Sequence, residues 1–174
     1  GRGLRVVRTM EPTREELAVH FPSTESVQRR PRFFSYDVFL SHNQRDGSAG
    51  LAKALEERGL TVWHDGDADM RDQHVIAVIQ RALTDSRFIC VCVGKDFRDS
   101  EWVKAEYTSG LAMERRFGVA SVLVVELAPS VSPPQALRSK LRLSATDLDY
   151  LAAYLRVANA RGDAADHERK IGAQ

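Results

Sequence analysis

The run Glu101-Trp102-Val103-Lys104-Ala105-Glu106-Tyr107 holds the residue pair with the most chemical content in this chain. Trp102 and Glu106 are four positions apart, so on a helix they share a face one turn from each other. Ser100 suits an N-cap and Glu101 the positive end of the helix dipole, which places both residues near the helix start. An aromatic plate with a carboxylate one turn on suits a substrate that stacks and develops positive charge. Spacing alone leaves a plainer reading open, a solvent-facing glutamate beside a partly buried tryptophan, because helical glutamates are mostly surface residues. The apolar spacing predicts that Val103, Tyr107 and Leu111 face the core, with Trp102 and Glu106 on a shoulder beside the strand ends.

A scaffold for that helix is legible on either side of it. Tyr36 to Ser41 reads as a short strand, rich in aromatic and branched residues. Ser48 can cap a helix running to Arg58, with Leu51, Ala52 and Leu55 inward and Gly59 as its stop. Leu60 to His64 reads as a second strand, followed by a loop rich in aspartate (Asp65, Asp67, Asp69, Asp72). Val75, Ile76, Ile79, Ala82 and Leu83 repeat at helical spacing. Phe88 to Val93 is apolar almost without a break, as a strand buried on both faces would be. Val119 to Leu127 is a fourth apolar strand. Ser144 through Asp147 has the form of a capping box opening a last helix, with Leu148, Leu151, Ala152 and Leu155 on its inner face.

Strands alternating with helices pair in parallel through right-handed crossovers. The expected architecture is α/β, an open parallel sheet of four to five strands with helices on both faces. Ligands of such sheets bind beyond the carboxyl ends of the strands, where the strand order reverses. That rule directs attention to Ser41–Asp46, His64–Arg71 and Gly94–Glu106.

Composition removes several classes of function. The chain has 174 residues, is 43% hydrophobic, and carries 25 basic against 24 acidic side chains for a net charge of +1. That suits one ordinary globular domain and gives no bulk attraction for nucleic acid. No apolar run reaches the roughly 18–20 residues of a membrane span, and neither a membrane span nor a signal peptide is expected. Cys90 and Cys92 alternate within one apolar run and cannot staple distant segments, so the expectation is a reduced, cytoplasmic protein. His42, His64 and His74 lack zinc-type spacing, and no metal is expected. A phosphoacceptor receiver domain would need acidic residues after the first strand, where Ser41-His42-Asn43 stands, and an aspartate ending the third, where Val93-Gly94-Lys95 stands. No Gly-rich loop with lysine and a hydroxyl residue appears either, which argues against hydrolysis of a nucleoside triphosphate.

Patterning divides the chain into an N-terminal extension over 1–32, with a short helix suggested by Thr13-Arg14-Glu15-Glu16, a folded unit over 33–158, and a polar tail or linker over 159–174. Gly1 in place of methionine and the polar run behind the last helix are those expected of a piece excised from a longer protein.

Three spaced motifs in order carry a family resemblance. Tyr36-Asp37-Val38-Phe39-Leu40-Ser41-His42, then Val62-Trp63-His64-Asp65, then Ser100-Glu101-Trp102-Val103-Lys104-Ala105-Glu106 resemble a TIR (Toll/interleukin-1 receptor) domain over about residues 33–158. The resemblance implies a flavodoxin-like fold. Some members of the family are signalling scaffolds; others, many bacterial and plant members among them, cleave NAD+ at the nicotinamide–ribose bond. By that resemblance Glu106 is the catalytic glutamate, and the candidate substrate-binding residues around it are Trp102, Ser41, His42, Arg45 and Asp65. Ser41 and His42 are read either as ligand contacts or as a hydroxyl bonded to neighbouring backbone and a rim histidine. The family's enzymes often place an arginine or another donor just after the strand serine; here Asn43 and Gln44 stand there, with Arg45 one step later as a candidate bidentate clamp. Asp65 is read either as a ribose ligand or as a cap for its own loop. The segment Met70-Arg71-Asp72-Gln73-His74 corresponds to the loop through which TIR domains touch one another, without the family's usual glycine. The resemblance also implies NAD+ as substrate with no bound cofactor, self-association, and a regulatory or sensor domain beyond the chain ends. The arginine bias among the basic residues, with abundant alanine, suits a GC-rich bacterial genome, and a bacterial immune-type defence role is the family-level expectation. The alternative is a non-enzymatic adaptor working through the same fold and loop, without need of Glu106.

Overall fold

Eight consecutive buried residues, Ser86–Val93, form the strand β3 at the centre of the sheet. They belong to a computed structural model that describes residues 34–43, 46–64, 73–118 and 120–156 of the chain. In chain order the elements are β1 (Tyr36–Ser41), α1 (Ser48–Glu57), β2 (Val62–His64), α2 (Gln73–Thr84), β3, α3 (Glu101–Phe117), β4 (Val122–Glu126), a short 3-10 turn (Gln135–Leu137) and β5 (Arg142–Ser144). A further helix, α4, occupies 148–156. The strands pair in the order β2-β1-β3-β4-β5, with every pairing parallel. This is the flavodoxin-like order, and the direction of winding reverses between β1 and β3.

The two-residue period of each strand sends alternate side chains to two separate cores. Phe39, Ile89, Val91 and Val93 join Ile79 of α2 and Trp102, Val103 and Tyr107 of α3 on one face. Val38, Leu40, Phe88, Cys90 and Cys92 join Leu51 and Leu55 of α1 and Leu151 and Leu155 of α4 on the other. The expected inner faces of the first and last helices are therefore observed. Gly59 ends α1 as expected, at φ +87°, a left-handed conformation that suits glycine.

Several boundaries differ from the sequence expectation. β2 and β4 are shorter than the apolar runs that announced them, because pairing with β1 and β3 begins only at Val62 and Val122. Ser48 is the first residue of α1 rather than its cap; Gly47 stands at the cap, and the Asp46 carboxylate accepts the Ser48 N–H at 2.9 Å. Ser144 ends β5 instead of opening a helix. Asp147 takes the capping role for α4, its Oδ1 accepting the Tyr150 N–H at 3.1 Å. At the far end of α3, Glu114 Oε1 accepts the Ser121 and Val122 N–H groups at 2.8 and 2.7 Å, and its other oxygen pairs with Lys140. That carboxylate anchors the start of β4 to the helix.

Both cysteines are buried in the α1/α4 core. Burial pushes the Cys90 thiol up to about 12, so essentially no thiolate exists at neutral pH. The folded protein should therefore leave Cys90 unmodified by a thiol-reactive dye at pH 7.5 and yield it only on unfolding. Rapid reaction in native buffer would contradict this placement. Among the described residues, no helix is long and apolar enough to cross a membrane.

Candidate active site

β1 ends at Ser41, two residues after Phe39 and on the same face of the sheet, toward α2 and α3. α3 begins at Glu101 with the Ser100 hydroxyl accepting the Val103 N–H at 3.2 Å, the cap expected from sequence. One turn into α3, Glu106 Oε1 accepts a hydrogen bond from Ser41 Oγ at 3.1 Å. The contact spans the β1/β3 boundary, the place where winding reverses.

Ser41, Trp102 and Glu106 are each 0% exposed. The shoulder expected for Trp102 and Glu106 is thus replaced by full burial. The physical reason lies one turn further along α3. Its buried residues are Trp102, Val103, Glu106, Tyr107, Gly110 and Met113, so the innermost stripe runs through 102, 106, 110 and 113. Gly110 lets the helix approach the sheet so closely that a Cβ there would sit 2.6 Å from Ile89 Cδ1 and 2.7 Å from Val122 Cγ2. A glutamate and a glycine in the deepest stripe hide it from an apolar-periodicity reading, which chose Val103, Tyr107 and Leu111; Leu111 is only partly buried. A buried carboxylate is costly unless hydrogen-bonded, and the Ser41 hydroxyl supplies part of that compensation.

The loop before α3 is tied down on both sides. Tyr107 donates its phenol proton to Asp99 Oδ1 at 2.9 Å. Burial, and then that bond to the Asp99 carboxylate, hold the phenol well above the ordinary tyrosine range. Asn43, immediately beyond β1, donates Nδ2–H to the Arg98 carbonyl at 2.9 Å and accepts the Arg98 N–H on Oδ1 at 2.7 Å. This two-way amide bridge joins the loop after β1 to the loop after β3. Asn43 stands where a ligand-contacting donor was expected, and its side chain instead binds backbone.

His42 stacks on His64, ring centroids 4.2 Å apart and planes 15° from parallel. Its Nδ1 lies 2.8 Å from the Asn43 carbonyl and 3.8 Å from Asp46 Oδ1. His64 Nε2 lies 3.0 Å from the hydroxyl of Ser48 at the start of α1. The two histidines thus sit on the α1 side of the carboxyl edge, while Ser41 and Glu106 meet on the α3 side. Of the other expected site residues, Arg45, Asp65, Met70, Arg71 and Asp72 lie outside the described residues, and Gln73 and His74 open α2. Asn43 and Asp46 were missed as organisers of this edge. Their signal was an Asn and an Asp just after a strand, residue types that bond to nearby backbone.

A family profile for the TIR domain matches residues 38–157, more than half of the chain. The chain belongs to the TIR domain family. Solved structures similar to this TIR domain include that of the Toll-related receptor TRR-2 from Hydra magnipapillata, 18% identical with a TM-score of 0.52, covering 73% of this chain and 98% of that one. A metazoan TIR-STING receptor from C. gigas, in complex with 2',3'-cGAMP, is likewise 18% identical with a TM-score of 0.52, covering 73% of this chain and 41% of that one. At such identity these likenesses speak to the fold. Among curated proteins, the TIR domain is 32% identical over 84 residues to the NAD(+) hydrolase TcpA of Theionarchaea archaeon (strain DG-70-1), covering 47% of this chain and 26% of that protein. It is 32% identical over 82 residues to the NAD(+) hydrolase TirS of Staphylococcus aureus (strain MSSA476), covering 45% and 29%. It is 29% identical over 75 residues to the probable 2' cyclic ADP-D-ribose synthase TcpO of Methanobrevibacter olleyae, covering 41% and 22%. The matches therefore span less than a third of these relatives' own lengths.

Proposed function

We propose that this TIR domain is an NAD+ glycohydrolase that cleaves the nicotinamide–ribose bond, with Glu106 as its catalytic carboxylate. The observation that carries the reading is Glu106 itself, held at the β1/β3 reversal one turn after Trp102. The names of the three curated relatives support the substrate class.

One carboxylate suffices for this reaction. An ordinary glycoside needs a second carboxyl group to protonate its leaving oxygen. The nicotinamide of NAD+ leaves as a neutral base, because the electron pair of the breaking C–N bond discharges the pyridinium. What remains is to stabilise the oxocarbenium-like ribose, and an ionised Glu106 does that by charge. Water then adds to the anomeric carbon and releases a proton, giving ADP-ribose; attack by a group of the same molecule gives a cyclic product. Trp102 supplies a ring face for stacking.

A fully enclosed carboxylate cannot touch a dinucleotide, so turnover requires the walls around Glu106 to part. Self-association through the Met70–His74 segment is the proposed means, with a neighbouring copy completing the site. The working protein, on this reading, is cytoplasmic and assembles under a regulatory or sensor domain in a bacterial immune-type defence. NAD+ is its substrate, and it needs no other cofactor. Nicotinamide release from NAD+ should therefore rise more steeply than in proportion to protein concentration. Release that stays at background in concentrated or artificially assembled protein would refute the proposal.

The enclosure of Trp102 and Glu106 also favours a second reading, a non-enzymatic adaptor in which both residues are packing. Cellular signalling retained in Glu106→Gln would support the adaptor over the enzyme.

A further inference from the structure

We infer that Ser41 is a positioning residue for Glu106, its hydroxyl fixing the carboxylate in the orientation that faces a sugar at the β1/β3 crevice. The inference rests on the glycohydrolase reading and goes beyond it by assigning a second residue to the same chemistry. The sequence leaves Ser41 open between a ligand contact and a hydroxyl bonded to neighbouring backbone. At 0% exposure it lies beneath the site, and its Oγ–H donates to Glu106 Oε1 at 3.1 Å.

Three features make this contact a support for catalysis. First, Ser41 is the last residue of β1 and is in register with Val91 of β3, so the sheet ladder sets the position of its hydroxyl. Second, a glutamate side chain turns about three bonds, and α3 fixes only its root. A donor on one oxygen from a different element removes that freedom. Third, the position continues the apolar face begun by Phe39, where a valine or alanine would pack without a polar group to satisfy. A hydroxyl there contributes a bond to the acceptor form of the carboxylate, the form that stabilises a cationic sugar.

The test combines turnover with a readout that needs none. In protein assembled enough to release nicotinamide, Ser41→Ala should lower kcat about 10- to 100-fold, as expected for a lost hydrogen bond to a charged group. KM should stay within about two-fold, because Ser41 does not touch substrate. Ser41→Thr, or Ser41→Cys if the extra methyl group disturbs folding, should restore much of the loss by returning a donor. Melting curves establish that each variant is folded. An unchanged kcat in Ser41→Ala, or an equal loss in the alanine and threonine variants, would overturn the inference. Independently of turnover, the Glu106 side-chain carboxyl 13C resonance, assigned by its absence in Glu106→Gln, should move in Ser41→Ala and return in Ser41→Thr. A resonance that does not move overturns the inference even in a chain that releases no nicotinamide. A moved resonance without nicotinamide release would uphold the Ser41 contact and refute the glycohydrolase reading alone.

Discussion

Glu106→Gln is expected to lower nicotinamide release about 10²- to 10³-fold, the scale of losing one electrostatic stabiliser of a transition state. The substitution keeps the volume of the side chain and an oxygen able to accept from Ser41 Oγ, so it removes charge and little else. On the glycohydrolase reading, the oxocarbenium-like sugar would then form beside a neutral amide. Stability should respond in the opposite sense. Glu106 is fully buried, and an interior carboxylate carries a desolvation cost that only hydrogen bonds and paired charges offset. Glutamine removes that cost, so the melting temperature should hold or rise while activity collapses. Such a trade is common where a site is kept for chemistry rather than for packing. The measurements are chromatographic detection of nicotinamide and thermal unfolding by circular dichroism. Retained activity would take Glu106 out of the chemistry, and a melting point lowered by many degrees would make it a structural residue.

Gly110→Ala should destabilise the domain by about 1–3 kcal/mol, the usual range for overpacking a well-filled core. In an isolated helix the same change would stabilise, since alanine is a better helix former than glycine by about 0.8–1.0 kcal/mol. Here packing outweighs propensity. The new methyl group would lie 2.6 Å from Ile89 Cδ1 and 2.7 Å from Val122 Cγ2, inside contact distance of buried side chains on two neighbouring strands. Relief comes from lifting α3 off the sheet, which carries Glu106 away from Ser41. Activity should therefore fall together with stability. Gly50→Ala is the internal control, because Gly50 lies in α1 and a Cβ there meets nothing within 4 Å. It should be neutral or stabilising by up to about 1 kcal/mol. Chemical denaturation of both variants decides the matter. Equal effects would mean that close approach at Gly110 is not what limits the helix.

The asymmetry between these two glycines also shows where sequence reading stops. Both sit in helices, and nothing in the local sequence tells them apart. Only the distance between α3 and the sheet does.

Much of the architecture needed nothing beyond the sequence. Strong apolar runs such as Phe88–Val93, alternating with helical repeats, announce a parallel sheet because each element must bury one face and each crossover has one hand. The motif spacing placed Ser41 and Glu106 at the same edge of that sheet. β5 was missed because three residues, Arg142–Ser144, with only Leu143 buried, carry no period of their own. They become a strand by pairing with β4. The division of the edge into two sides was implicit in strand parity, since Ser41 follows Phe39 and His42 follows Leu40, but parity says nothing about which helix waits on either side. Tertiary structure decided that Ser41 meets Glu106, that His42 meets His64 and the start of α1, and that Asn43 bridges the two loops. It also decided that Glu106 is enclosed. Periodicity reports which side chains prefer to leave water. A carboxylate and a glycine in the deepest stripe of α3 have no such preference, and they lie inside because the helix that bears them packs close enough to take them there.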